Sequence, residues 1–198
     1  IKAADPQGRS LMDLRRLADE GRAIVDLGGE LTIDARLETE SLMAENVAGL
    51  IPGRGKLADE YVIIGAHLDH LGMGYFGSRS GPGKLHPGAD DNASGSAAIL
   101  MLADKLMDSY EEIDEDVPLR SIILCLFSGE ESGLNGSRYY VDNPIVPIEQ
   151  HALMINFDMI GRILNDRLNV AGSDSAEGLS DMLQPIFDES PLEIVKPN

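Results

Sequence analysis

Four short segments place imidazole or carboxylate groups directly after apolar, strand-like runs. They are GAHLDH with His67, PGADDNASG with Asp90, FSGEESG with Glu130 and Glu131, and NFDMIGR with Asp158. Carboxylate oxygens and an imidazole, each carried on a rigid strand end, suit the holding of divalent metal for hydrolysis. Any one of these segments has an ordinary explanation. The pattern lies in their succession.

His67 follows the apolar run that ends at Gly65 and Ala66, and ligands of open α/β sheets collect beyond the carboxyl ends of strands. Asp69, two residues on, is placed to take the other ring N–H and fix the tautomer. His70 lacks that strand-end placement and reads as ordinary loop. Asp90 and Asp91 precede a helical pattern, where N-capping accounts for one carboxylate or for Asn92 but not for the whole cluster among small residues. Asp90 is the candidate carboxylate to bridge two cations. Glu130 and Glu131 sit at a strand-to-helix turn and point different ways. One can bind metal while the other accepts a proton from the attacking water. Asp158 ends another apolar run, where a charge is costly unless it is paired or metal-bound.

The elements that must position these groups are legible from periodicity. YVIIGAH from Tyr61, SIILCLF from Ser121 and ALMINFD from Ala152 are short, continuous apolar runs, as strands buried on both faces should be. LTIDARLE from Leu31 alternates as a half-buried strand; NVAGLIPG from Asn46 and LNVAG near Val170 are further candidates. The opening pair is expected to form an antiparallel edge. Helices are predicted over 10–21, 94–107, 137–141 and 177–189, the last kinked at Pro185. Strands alternating with helices predict an α/β fold with a mixed, largely parallel central β-sheet flanked by helices. The segment from Leu71 to Ala89 is rich in Gly, Ser and Pro, and a loop of that length inside a domain is usually functional.

Composition narrows the function. The chain has 198 residues and a formal charge of −18, which excludes the cationic footprint that nucleic-acid binding requires. No stretch approaches the roughly 18–20 apolar residues of a membrane-spanning helix. The acidic run Glu111, Glu112, Asp114, Glu115 and Asp116 reads as a solvated loop. Cys125, the single cysteine, lies among apolar neighbours and reads as core rather than nucleophile.

The order and spacing of the four segments, over roughly residues 45–175, resemble the di-zinc aminopeptidase family that includes bacterial leucyl aminopeptidases and aminopeptidase Y. The resemblance implies a three-layer zinc-exopeptidase sandwich holding two zinc ions. His67 and Asp158 would hold one, Glu131 the other, and Asp90 would bridge them. Glu130 would be the general base and Asp69 the partner of His67. The substrates implied are peptides with a free N-terminus. A carboxypeptidase, a glutaminyl cyclase-like enzyme or a non-catalytic binding relative are the alternatives. The family's last ligand is a histidine in an S-D-H type segment, which would lie beyond Asn198, so the chain is expected to be part of a longer enzyme with an incomplete second zinc site. His151, at the start of the run that ends in Asp158, is too distant to replace it. On this reading residues 1–30 are a helical linker segment and 31–198 the catalytic domain, and family analogy implies a secreted or periplasmic protein.

Overall fold

The computed structural model describes residues 5, 7–21, 34–36, 38 and 41–197. It divides into two compact units, Ile1–Leu42 and Met43–Asn198.

In the first unit, helix α1 spans Leu11–Asp19. Ser10 caps it, accepting the Asp13 N–H while the Asp13 carboxylate takes the Ser10 N–H in return, which satisfies two otherwise orphaned donors. Most of the strand predicted over 31–38 lies outside the described residues; 34–36 and 38 have no regular secondary structure.

The second unit is built on a four-stranded sheet of β1 (Val47–Ile51), β2 (Tyr61–His67), β3 (Ser121–Phe127) and β4 (His151–Asn156), in the order β1-β3-β2-β4. β2 runs parallel to both β3 and β4, and β1 pairs antiparallel with β3. The sheet is thus mixed and largely parallel, with one antiparallel strand at its edge. Between the strands lie α2 (Ala93–Glu112) and α3 (Asn135–Asp142). A parallel pair, β5 (Arg167–Asn169) and β6 (Glu193–Val195), brackets α4 (Leu179–Asp188), which contains Pro185.

The period-two geometry of a strand sorts the continuous apolar runs into two cores. Ile64, Ala66 and Ile122 pack with Ile99, Leu102 and Leu106 of α2 on one face. Ile63, Ile123, Cys125 and Phe127 pack with Tyr140 of α3 on the other. This is the three-layer arrangement. α2 runs beyond its predicted end and takes in Glu111 and Glu112, because Arg54 caps it from outside. The Arg54 guanidinium donates to the carbonyl of Tyr110, in the last turn where the helix leaves carbonyls unpaired, and to those of Ile113 and Asp114 just beyond it.

Candidate metal centre

Register brings the strand ends together. His67 pairs with Phe127 across β2 and β3, and the Phe157 N–H donates to Gly65 O, which carries the β4 pairing one residue past the strand. Leu68 N–H donates to Phe127 O in the same way. Three neighbouring strands therefore release His67, the segment 128–131 and Asp158 at one edge of the sheet.

His67 is buried, at 4% exposure, and its Nε2 lies 3.2 Å from Asp91 Oδ1 and 3.4 Å from Asp158 Oδ1. A second group adjoins the first: His70 Nδ1 is 2.6 Å from Glu131 Oε1 and 3.8 Å from Asp91 Oδ2. Within each group, His67–Asp91–Asp158 and His70–Asp91–Glu131, the donor atoms lie within 4.8 Å of one another. Asp91 belongs to both and presents one oxygen to each.

Asp90, expected as the bridge, faces elsewhere. Its Oδ1 accepts the Gly161 N–H at 2.9 Å, and its Oδ2 lies 3.5 Å from Arg162 Nη2. The two adjacent aspartates immediately precede the N-terminus of α2, where Asn92 is the cap. Asn92 is 2% exposed. Its Oδ1 accepts from Gly95 N–H and Met159 N–H, and its Nδ2 donates to Phe157 O. One side chain thus fixes Asp91 on one side and Asp158 on the other. Gly95 has no room for a side chain there, since a Cβ would stand 2.5 Å from Phe157 O. Met159, at φ 52°, is a non-glycine residue in the left-handed region, a conformation that costs of order 1–3 kcal/mol and that the Asn92 bond helps to hold.

Asp69 acts through two routes. Its backbone carbonyl, rather than its carboxylate, is the near partner of His67 Nδ1, at 3.0 Å against 3.8 Å. The carbonyl accepts the Nδ1 proton, which leaves Nε2 free as a lone-pair donor. The Asp69 carboxylate instead accepts the backbone N–H groups of Glu130 and Glu131, at 3.0 and 3.4 Å, and so anchors the glutamate turn to the end of β2. Burial raises the Glu130 carboxyl above its usual range; Glu131, Asp158 and Asp69 add to the rise and His67 opposes it. His70 and Asp91 are the two members of these groups that strand-end reasoning passed over. Asp91 carried a signal in its adjacency to Asp90. His70 carried only its place beside His67 and Asp69.

The donor set fits a divalent cation on structural grounds. His70 Nδ1 and Glu131 Oε1 are buried and, apart from their own contact at 2.6 Å, have no hydrogen-bond partner. Five carboxylates, those of Asp69, Asp91, Glu130, Glu131 and Asp158, gather at one sheet edge, where like charge is repulsive unless cations lie among them. A cleft of about 610 Å³ opens beside them, lined in part by Glu130, Phe127, Leu134, Val141 and Met154.

A sheet of this topology, with clustered imidazole and carboxylate donors at its strand ends, defines the fold of a zinc exopeptidase. The chain superposes on a Zn-dependent exopeptidase from Parabacteroides distasonis with a TM-score of 0.56 and 19% identity, over 77% of this chain and 56% of that one. The chain belongs to Peptidase family M28, whose profile matches residues 46–194. It is 33% identical over 141 residues to an aminopeptidase of Pseudomonas aeruginosa, and 31% identical over 150 residues to leucine aminopeptidase 1 of Trichophyton equinum. These matches take in 69% and 74% of this chain but 21% and 38% of those proteins.

Proposed function

We propose that this chain carries the metal-binding and proton-transferring part of an aminopeptidase that hydrolyses N-terminal peptide bonds at a two-zinc centre. The observation that supports this most is the sharing of Asp91 between two donor groups, with Glu130 beside them. His67, Asp91 and Asp158 would hold one cation; Asp91 and Glu131 would contribute to the other. When bound, two such ions polarise a scissile carbonyl and lower the pKa of the attacking water. Asp91 takes the bridging role expected of Asp90, since both of its oxygens face donor groups while those of Asp90 serve Gly161 and Arg162.

Glu130 is the general base. It lines the cleft beside the donor groups, where a carboxylate can take a proton from the attacking water and return it. It takes the proton of the attacking water and delivers it to the leaving amine. Asp69 keeps it in position through the backbone N–H groups of the glutamate turn. The carboxylate-rich edge suits the free ammonium group of a peptide N-terminus, and the apolar walls at Phe127, Leu134, Val141 and Met154 suit an apolar side chain. Among the described residues no helix is long and apolar enough to cross a membrane. Secretion or a periplasmic location rests on family analogy.

The test is Glu130→Gln in the full chain, assayed on leucine p-nitroanilide and on leucyl dipeptides. The expected result is a fall in kcat of about 10²–10⁴-fold with zinc content unchanged. Retained turnover would remove Glu130 as the base. Cyclisation of N-terminal glutaminyl peptides in place of amino-acid release would reassign the reaction.

A further inference from the structure

We propose that a second cleft, adjoining the first at Asp158, is a subsite for a carboxylate on the leaving side of the scissile bond, bound by Arg162 and Arg167. The carboxylate is that of the C-terminus of a di- or tripeptide, or of an acidic side chain just after the first residue. This rests on the aminopeptidase reading above and names its substrate class.

The cleft measures about 530 Å³ and shares Asp158 with the one that Glu130 lines. Its walls come mainly from the segment that follows Asp158, and they include Asp90, Arg162, Arg167 and Asn169. Two guanidiniums in one cleft go against the balance of a chain with 16 Lys and Arg to 34 Asp and Glu. Arg162 Nη2 is 3.5 Å from Asp90 Oδ2, and Asp90 is the neighbour of the aspartate that faces both donor groups. Arg167 Nη2 is 3.4 Å from Glu193 Oε1.

The fold positions both arginines. Asn165 and Asp166 have φ of 55° and 52°, as the two central residues of a type I′ turn do, and the Arg167 N–H donates to Leu164 O at 3.2 Å. The chain therefore doubles back and returns β5 alongside the segment of Arg162. The Glu193 N–H donates to Asp166 O at 2.7 Å and ties the turn to β6. Before Arg162, the Gly161 N–H donates to Asp90 Oδ1 and the Ile160 N–H to Ser94 Oγ, at 2.9 and 3.1 Å, which fixes this end against the start of α2.

Both ion pairs leave room for a ligand. Charge-assisted N–H···O bonds run at about 2.7–2.9 Å, whereas these stand at 3.5 and 3.4 Å, with the arginine side chains 63% and 48% exposed. A guanidinium carries its N–H donors in a planar fork that suits a carboxylate held by two bonds. At about 3.6 Å per residue, the terminal carboxylate of a tripeptide lies about 7 Å beyond the scissile carbonyl. Consecutive Cα atoms stand about 3.8 Å apart, so the Asp90–Arg162 contact is within that reach of Asp91. A short peptide whose ammonium meets the carboxylate-rich edge thus meets positive charge at its other end.

Steady-state kinetics of the zinc-loaded full-length enzyme test this on two matched pairs: leucyl-glycyl-glycine against its C-terminal amide, and leucyl-glutamyl amide against leucyl-glutaminyl amide. The readout is the ratio of kcat/KM within each pair, from which any general loss of activity cancels. In the parent at least one pair should favour the carboxylate by about 10-fold or more, the lower end for a hydrogen bond to a charged group. Preference in the first pair identifies the peptide C-terminus as the source, and preference in the second the side chain. Arg162→Gln should bring the ratio close to one through KM, since a remote contact made equally in the ground and transition states is uniform binding. Arg162→Lys should restore it in part, because lysine keeps the charge and loses the fork. Arg167→Gln should lower the same ratio. Ratios near one in the parent for both pairs, or a ratio unchanged by both glutamine variants, would overturn the subsite and leave the aminopeptidase reading standing. A parent that turns over neither these peptides nor leucine p-nitroanilide would overturn both.

Discussion

Replacing Asn92 with Ala tests how the fold holds the centre. The side chain is 2% exposed and makes three bonds: from Gly95 N–H at 3.0 Å, from Met159 N–H at 3.4 Å, and to Phe157 O at 2.9 Å. Loss of the helix cap costs about 1 kcal/mol. Leaving the Phe157 carbonyl and the Met159 amide without partners adds about 1–3 kcal/mol for the pair, because the 3.4 Å bond is the weaker. The total is about 2–4 kcal/mol. With a urea dependence of about 2 kcal/mol per molar, the unfolding midpoint should fall by about 1–2 M. Since Asn92 also ties the segment of Asp91 to that of Asp158, zinc affinity should fall with stability. Asn92→Asp retains the acceptor for Gly95 but sets a carboxylate against Phe157 O in a buried position, and should destabilise at least as much. A midpoint shift below about 0.3 M in Asn92→Ala, with zinc affinity unchanged, would refute the reasoning.

Zinc at 100 times its dissociation constant should stabilise the native state by about 2.7 kcal/mol, a rise in Tm of about 5–11 °C that chelation reverses. Asp91→Ala should abolish that rise, whereas Asp90→Ala, which unpairs Gly161 and Arg162, should keep it; calorimetry with and without zinc distinguishes them. Burial pushes the Cys125 thiol from 9.0 up to about 11, and the residue is fully buried. The native chain should therefore not react with a disulfide reagent at pH 8 and should react fully once unfolded. Because the native thiol keeps a proton that the unfolded one releases, stability should decline as pH rises from 9 toward 11, which urea unfolding across that range would show.

Much of this architecture is written in local pattern. The runs 61–67 and 121–127 fall where continuous apolar, β-branched sequence places them, since a strand buried on both faces leaves no polar position. The run 151–156 also forms a strand, but at the edge of the sheet, where Met154 and Ile155 are exposed rather than buried on both faces as expected. His67, Glu130, Glu131 and Asp158 follow from that, because each comes directly or nearly so after a strand. The choice between Asp90 and Asp91 does not follow, as it turns on backbone geometry at the start of α2, which neighbouring residue types leave open. His70 is hidden for a different reason: its place is set by Gly88 and His86, which reach it from the far end of a long loop. The end of α2 is not legible locally, because the residue that caps it, Arg54, comes from more than fifty residues upstream.

The most direct measurement is anomalous diffraction at the zinc edge from crystals grown with zinc. The account predicts two peaks about 3.5–4 Å apart on either side of the Asp91 carboxylate. One should be ligated by His67 and Asp158 and the other by Glu131, with Glu130 bound to neither. A single peak, or peaks centred on Asp90, would contradict it.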